Sequence, residues 1–215
     1  MPDGLRTDFR HPNWTSGIFK SPVPGPVLIT SHGIPGDAQA DLQHHGGPDN
    51  VVLAYDADHY PYWQDRLNLP EPLPYGSFGE NFTLQSDGAF SEDTVCIGDT
   101  WQVGPLPGDD SSQALLLQVT QPRQPCYKLA RRLQQPHIVK MVRDTSWGGW
   151  YLRVLRPGPA APGMPITRTA RVHSDWPIGR AVQLMYARKK FPEDATTLAA
   201  LPELSARWKV ELLME

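Results

Sequence analysis

Residues 115–129 read LLLQVTQPRQPCYKL, and the fold and the chemistry of the chain both turn on this stretch. The apolar run Ala114–Pro122 is the strongest strand signal in the sequence: leucines and a β-branched valine, ended by a proline that has no N–H for a ladder. Immediately beyond it, Cys126 stands between Pro125 and Tyr127, with Arg123 and Lys128 close by and Arg131 and Arg132 one turn on if a helix begins there. Nearby cations favour the thiolate, which is the nucleophilic and metal-binding form of cysteine. Pro122 and Pro125 stiffen the approach to that thiol. A buried structural cysteine in a basic loop satisfies the same residues.

Working outward, the rest of the first part reads as short strands and turns. Val27–Thr30 is one strand, closed by SHGIPGDAQ, and Val51–Tyr55 is another, following HHGGPDN at 44–50. Asp56 opens a helix through DADHYPYWQDRL, where Pro61 fits only near the first turn. A strand is expected at Asn81–Leu84. The stretch TVCIGDTWQVG reads as a hairpin, Val95 and Ile97 on one arm and Trp101 and Val103 on the other, which makes Cys96 structural. Gly149–Gly158 is a further strand before the turn PGPAAPG, and MPITRTARV closes the region. After about Val172 the period changes. Ile178, Ala181, Val182, Met185 and Tyr186 mark a helix opened by Ser174 or Asp175, a second helix follows at Thr196–Leu201, and Ser205 opens a third with Trp208 and Leu212 on one face. The expected architecture is mainly β, barrel-like or a sandwich, over residues 1–171, followed by a small three-helix unit over 172–215.

The 215 residues, with 40% hydrophobic and 20% charged side chains, suit a soluble globular protein. Pro 23 and Gly 18 are high and unperiodic, as in a loop-rich β protein. A net charge of -3 supplies no whole-molecule attraction for nucleic acid or an anionic membrane, so neither is an expected partner. Met1–Lys20 lacks a signal-like apolar run, no stretch is long enough to span a bilayer, and there are only 2 cysteines. A cytoplasmic location with reduced thiols is expected.

Two other segments carry polar groups in turns. In HHGGPDN, Gly46 and Gly47 allow positive φ and close backbone approach, as in an anion-binding turn or an ordinary Gly-Pro-Asp turn. A zinc site drawn from His44, His45, Cys126 and His59 lacks any ligand pair at zinc spacing. In GSFGENFTL, Glu80 and Asn81 are pocket groups or turn formers.

Taken in order, LITSHGIPGDAQADLQHHGGPDNVVLAYDADHYPYW, FGENF, VCIGDTWQVG and LLLQVTQPRQPCYKL resemble the MOSC domain. More narrowly they resemble the stand-alone bacterial MOSC proteins of the 6-N-hydroxylaminopurine resistance type. The resemblance covers roughly Ile18 to Arg168, and the C-terminal helices resemble the 3-alpha domain that follows in that subfamily. It implies a β-barrel-like fold and a pterin-based molybdenum cofactor whose metal is ligated by the cysteine matched here by Cys126. It further implies a cofactor-phosphate site, for which Lys20, Arg123, Lys128, Asn81 and the Gly46-Gly47 turn are candidates. His45, Asp49 and Glu80 are candidate proton carriers or orienting groups. The implied activity is two-electron reduction of a small N-hydroxylated base to the amine. The chain carries no flavin, haem or ferredoxin motif, so an external electron-donor protein is implied as well. Many relatives place a basic residue where this chain has Asn50. Two other readings stay open: sulfur transfer through a Cys126 persulfide, a use linked in the family to pyridoxal-phosphate desulfurases, and a non-enzymatic cofactor carrier.

Overall fold

The strand formed by the apolar run before Cys126 lies in the middle of the main sheet. In the computed structural model, which describes residues 6–8, 11–37, 47–105 and 114–214, Leu115–Pro122 is an eight-residue strand. In chain order the strands are β1 (Arg6–Asp8), β2 (His11–Ser16), β3 (Val27–Ile29), β4 (Val52–Asp56), β5 (Phe82–Leu84), β6 (Thr100–Val103), β7 (Leu115–Pro122), β8 (Trp150–Arg156), β9 (Gly158–Ala160) and β10 (Ile166–Ala170). The helices are α1 (His59–Arg66), α2 (Tyr127–Leu133), α3 (Ile138–Thr145), α4 (Ile178–Ala187), α5 (Pro192–Ala199) and α6 (Ala206–Leu213).

Six strands form one mixed sheet in the order β10-β6-β7-β8-β4-β5, curled into a half-barrel. Only the β4–β5 pair is parallel. β1 pairs with β2 and β3 with β9 as separate ribbons. The β7–β8 register slips between Val119 and Gln121, so Val119 opposes Leu152 while Gln121 opposes Tyr151. Opposed residues share a face of the sheet, so this slip puts Gln121 beside Tyr151 instead of in the core with Val119.

Two apolar clusters hold the fold. Trp101, Leu117, Val119, Trp150 and Leu152 of the sheet pack in one cluster with Ile178, Leu184, Met185, Leu198, Trp208 and Leu212 of the C-terminal helices. Each such burial contributes about 1.5–3 kcal/mol, so the helical tail is part of the sheet's own core. The second cluster joins Tyr55, Trp63 and Phe78 to Leu129, Ile138 and Val142 beneath α1, α2 and α3.

Several local expectations are corrected. Val95–Ile97 is not a hairpin arm: Asp99 takes the Cys96 N–H at 3.0 Å, and Cys96 bridges to Pro177 instead. The turn PGPAAPG contains β9, whose partner β3 lies far away in sequence. Neither Ser174 nor Asp175 caps α4, which starts after Pro177. The second tail helix begins earlier than Thr196, at Pro192, where proline, Glu193 and Asp194 suit a first turn. Ser205 does cap α6, its hydroxyl accepting the Trp208 N–H at 3.2 Å. Among the described residues no helix is long and apolar enough to cross a membrane.

Candidate functional site

The end of β7 sets the site. Pro122 ends the ladder, the Arg123 N–H is taken by the Gly149 carbonyl at 2.9 Å, and Pro125 leads into Cys126. Cys126 keeps an extended backbone (φ -127, ψ 170) at the start of α2, with its thiol free and half-buried. The second thiol behaves differently. Cys96 is buried, its backbone is bonded to Asp99, and burial raises its pKa. That thiol is structural.

Arg123 is 6% exposed. Its Nη2 donates to the Phe78 carbonyl at 3.3 Å, and its buried Nη1 has no partner among the described residues. Lys128, half-buried in the first turn of α2, also has no hydrogen-bond or ion-pair partner there. Two cations flanking a free thiol therefore keep unspent donors, which a buried guanidinium ordinarily does not.

The other candidates are more heavily bonded. Lys20 pairs with Asp37, whose second oxygen accepts the Asn81 amide at 2.8 Å. Asn81 in turn exchanges bonds with the Leu53 backbone, accepting at 2.9 Å and donating at 2.8 Å. Leu53 opposes Tyr151 across β4 and β8, and Asp37 bears electrostatically on the Tyr151 phenol. Glu80, 2% exposed, accepts from Gly76 N at 2.7 Å, Phe78 N at 3.1 Å, Thr83 Oγ1 at 3.0 Å and the Tyr60 hydroxyl. It shapes the loop that offers the Phe78 carbonyl to Arg123. Burial, and then Glu80, push the Tyr60 phenol well above its usual pKa. Asp49 is a strut: it pairs with Arg153 at 3.0 Å, accepts the Ala206 N–H at 3.2 Å and, through its carbonyl, the Thr120 hydroxyl at 2.7 Å. Gly47 has the expected positive φ of 87 in open space, whereas His44, His45 and Gly46 lie outside the described residues. His59 is remote in role from Cys126, stacked on Trp147 and bonded to Glu92 at 2.6 Å. Among the described residues no group of three or more His, Cys, Asp or Glu could hold a metal ion.

Sequence reading passed over Tyr151. Burial raises the pKa of its phenol; Arg123 lowers it, Cys126 raises it, Arg207 lowers it and Asp37 raises it. These four groups, from the β7–α2 loop, the tail helix α6 and the loop after β3, all bear electrostatically on one hydroxyl. That hydroxyl stays protonated at neutral pH and makes no hydrogen bond among the described residues. The strand expected at Gly149–Gly158 includes Tyr151 but gives no chemical reason to single it out.

A family model described as MOSC domain matches residues 41–167. The chain belongs to the MOSC domain family. A second model, described as YiiM-like, 3-alpha helix domain, matches residues 176–212 of this MOSC protein. YflK of Bacillus subtilis (strain 168) is 34% identical over 92% of this chain and 83% of its own length. A protein named Reductase from Gibberella moniliformis is 36% identical over 81% of this chain, which spans only 29% of that longer protein. The crystal structure of YiiM from Geobacillus stearothermophilus superimposes with a TM-score of 0.75 at 32% identity, over 94% of this chain and 90% of that one. The half-barrel and helical tail are thus the arrangement of the YiiM-like members of the MOSC family.

Proposed function

We propose that this MOSC protein binds a molybdenum cofactor through Cys126 and reduces small N-hydroxylated bases, or related N–O compounds, to amines. The observation that carries the reading is a free Cys126 thiol three residues from Arg123, whose buried Nη1 has no partner among the described residues. An anion at that atom would satisfy it, and a pterin phosphate is such an anion. Family membership and a relative named Reductase support the same reading.

The residues present fit the cofactor. Cys126 is the soft ligand, while Arg123 and Lys128 hold the phosphate. Lys20 and Asn81 act from the Asp37 network, with one Lys20 donor already committed there. When bound, the cofactor supplies two-electron chemistry at an N–O bond. The chain's residues orient the substrate and manage protons. The balance is R–NHOH + 2 e⁻ + 2 H⁺ → R–NH₂ + H₂O, with the electrons delivered by an external flavin or iron–sulfur protein. Tyr151, neutral and without a hydroxyl hydrogen bond among the described residues, donates a hydrogen bond toward the departing oxygen. Glu80 and Asp49 hold the walls.

The test is expression in a host that makes molybdenum cofactor, followed by metal analysis and reduction of N-hydroxylaminopurine with a chemical reductant. Wild type should hold molybdenum and reduce the substrate, and Cys126→Ser should lose both. Equal molybdenum in both proteins removes the ligand assignment. Cofactor bound without N–O reduction favours a carrier, and a Cys126 persulfide without metal favours sulfur transfer.

A further inference from the structure

The backbone that presents Arg123 is held by a residue far from it in sequence. Glu92 is 1% exposed and uses all its oxygens. Oε2 meets His59 Nε2 of α1 at 2.6 Å, and Oε1 accepts the Gly149 N–H at 2.9 Å. Its carbonyl accepts the Gly179 N–H at 2.8 Å, in the first turn of α4. Gly149 then passes the contact on, its own carbonyl accepting the Arg123 N–H at 2.9 Å.

The turn between them has no slack. Gly149 has φ +77, and a Cβ there would lie 2.3 Å from the Ala54 carbonyl oxygen. A Cβ on Gly148 would lie 2.5 Å from the Arg123 carbonyl oxygen. The Gly148-Gly149 turn is therefore pressed between β4 and the Arg123 backbone, and a shift of the turn moves Arg123 with it. The Glu92 side chain fastens the turn through the Gly149 N–H. The His59 ring behind it is fixed in turn by stacking on Trp147, with centroids 4.1 Å apart and planes within 8°.

We propose that Glu92 is a positioning residue of the Cys126 site: by holding the Gly148-Gly149 turn it sets the direction in which Arg123 and Cys126 are presented. The inference rests on the proposed function for what that presentation serves, but not for the hydrogen-bond relay. It also links the helical tail to the site, because α4 is hung from the Glu92 carbonyl.

The test uses the full chain without cofactor first. Iodoacetamide labelling reads the Cys126 thiol, since Cys96 is 2% exposed. Glu92→Ala should speed Cys126 labelling by about tenfold as the segment opens locally, with Glu92→Gln restoring the rate to within about threefold. Leu198→Ala, in the tail core, should lower the melting temperature without speeding labelling. Wild-type labelling in Glu92→Ala, or equal acceleration in Leu198→Ala, overturns the proposal. If Glu92→Ala does not fold, Glu92→Asp replaces it, being too short to reach both His59 and Gly149. Faster amide exchange at Gly149 and Arg123, with Leu117 unchanged, supports the relay, and unchanged exchange at all three overturns it. In the loaded protein, Glu92→Gln should keep kcat near wild type while Glu92→Ala lowers kcat/KM. A wild type that never acquires molybdenum removes the proposed function, and the labelling result still decides the role of Glu92.

Discussion

Two polar loops meet at Arg123, and they spend their hydrogen bonds in opposite ways. In the loop 76–83, Glu80 accepts from Gly76, Phe78, Thr83 and Tyr60, leaving the carboxylate saturated inside the protein. In the loop 122–128, Arg123 Nη1 is buried without a partner among the described residues, Lys128 is unpaired there, and the Cys126 thiol is free. Both loops look equally loaded as sequence, a run of charged and turn-forming residues beside a strand. Among the described residues, only the second keeps donors unspent. The contrast separates a group that builds the wall from the groups that the proposed function assigns to a ligand.

The contrast breaks first at Glu80. Glu80→Ala strands four donors and should cost about 3–5 kcal/mol by urea unfolding, while kcat of the folded protein stays within about threefold. A small stability loss with a collapse in kcat would make Glu80 a proton carrier after all. Arg123→Met should do the reverse. Removing a partly unpaired buried charge should leave cofactor-free stability within about 1 kcal/mol, yet weaken cofactor retention by about 10- to 100-fold, read as molybdenum per chain. A large loss of apo stability would show that Arg123 is structural. Tyr151→Phe comes next in size. Molybdenum content should not change, and kcat should fall by about tenfold, with wild-type kcat excluding the hydroxyl from the reaction.

How much of this was legible follows from where each signal resides. Strand β7 declared itself because an apolar run ended at a proline, and Ser205 declared α6 because capping is a local event. Cys126 stood out because its neighbours supply charge and stiffness within a few residues. What stayed hidden depends on partners distant along the chain. Val95–Ile97 alternates like a strand, but Asp99 and Pro177 take its backbone. Strand β9 exists only because β3 pairs with it. Tyr151 was an ordinary strand tyrosine until the β7–β8 slip set Gln121 opposite it and the fold brought its phenol within electrostatic reach of Arg123, Cys126, Arg207 and Asp37. Glu80 and Asn81 were found as residues, but their division into a loop anchor and a member of the Asp37 network required the contacts themselves.

The smallest expected effect tests the far side of the same contrast, where the tail grips the sheet with bonds already spent. Glu203 Oε2 meets His173 Nε2 at 2.6 Å, and the Glu203 carbonyl accepts from Arg153 at 2.8 Å. Burial alone would raise the Glu203 pKa. Its hydrogen bonds from His173 and its own backbone N–H, together with the charges of His173 and Arg153, outweigh burial and hold it below the usual 4.5. A carboxyl depressed in the folded state stabilises fully above its unfolded pKa and loses that contribution as pH falls through the folded value. Acidification below about pH 4.5 should therefore lower the urea midpoint of wild type more than that of Glu203→Gln, and the gap between them should close. Parallel curves would mean that the tail is held by its apolar face alone. Neither result should alter Cys126 labelling at neutral pH, because the His173–Glu203 pair lies outside the Glu92–Gly149–Arg123 relay.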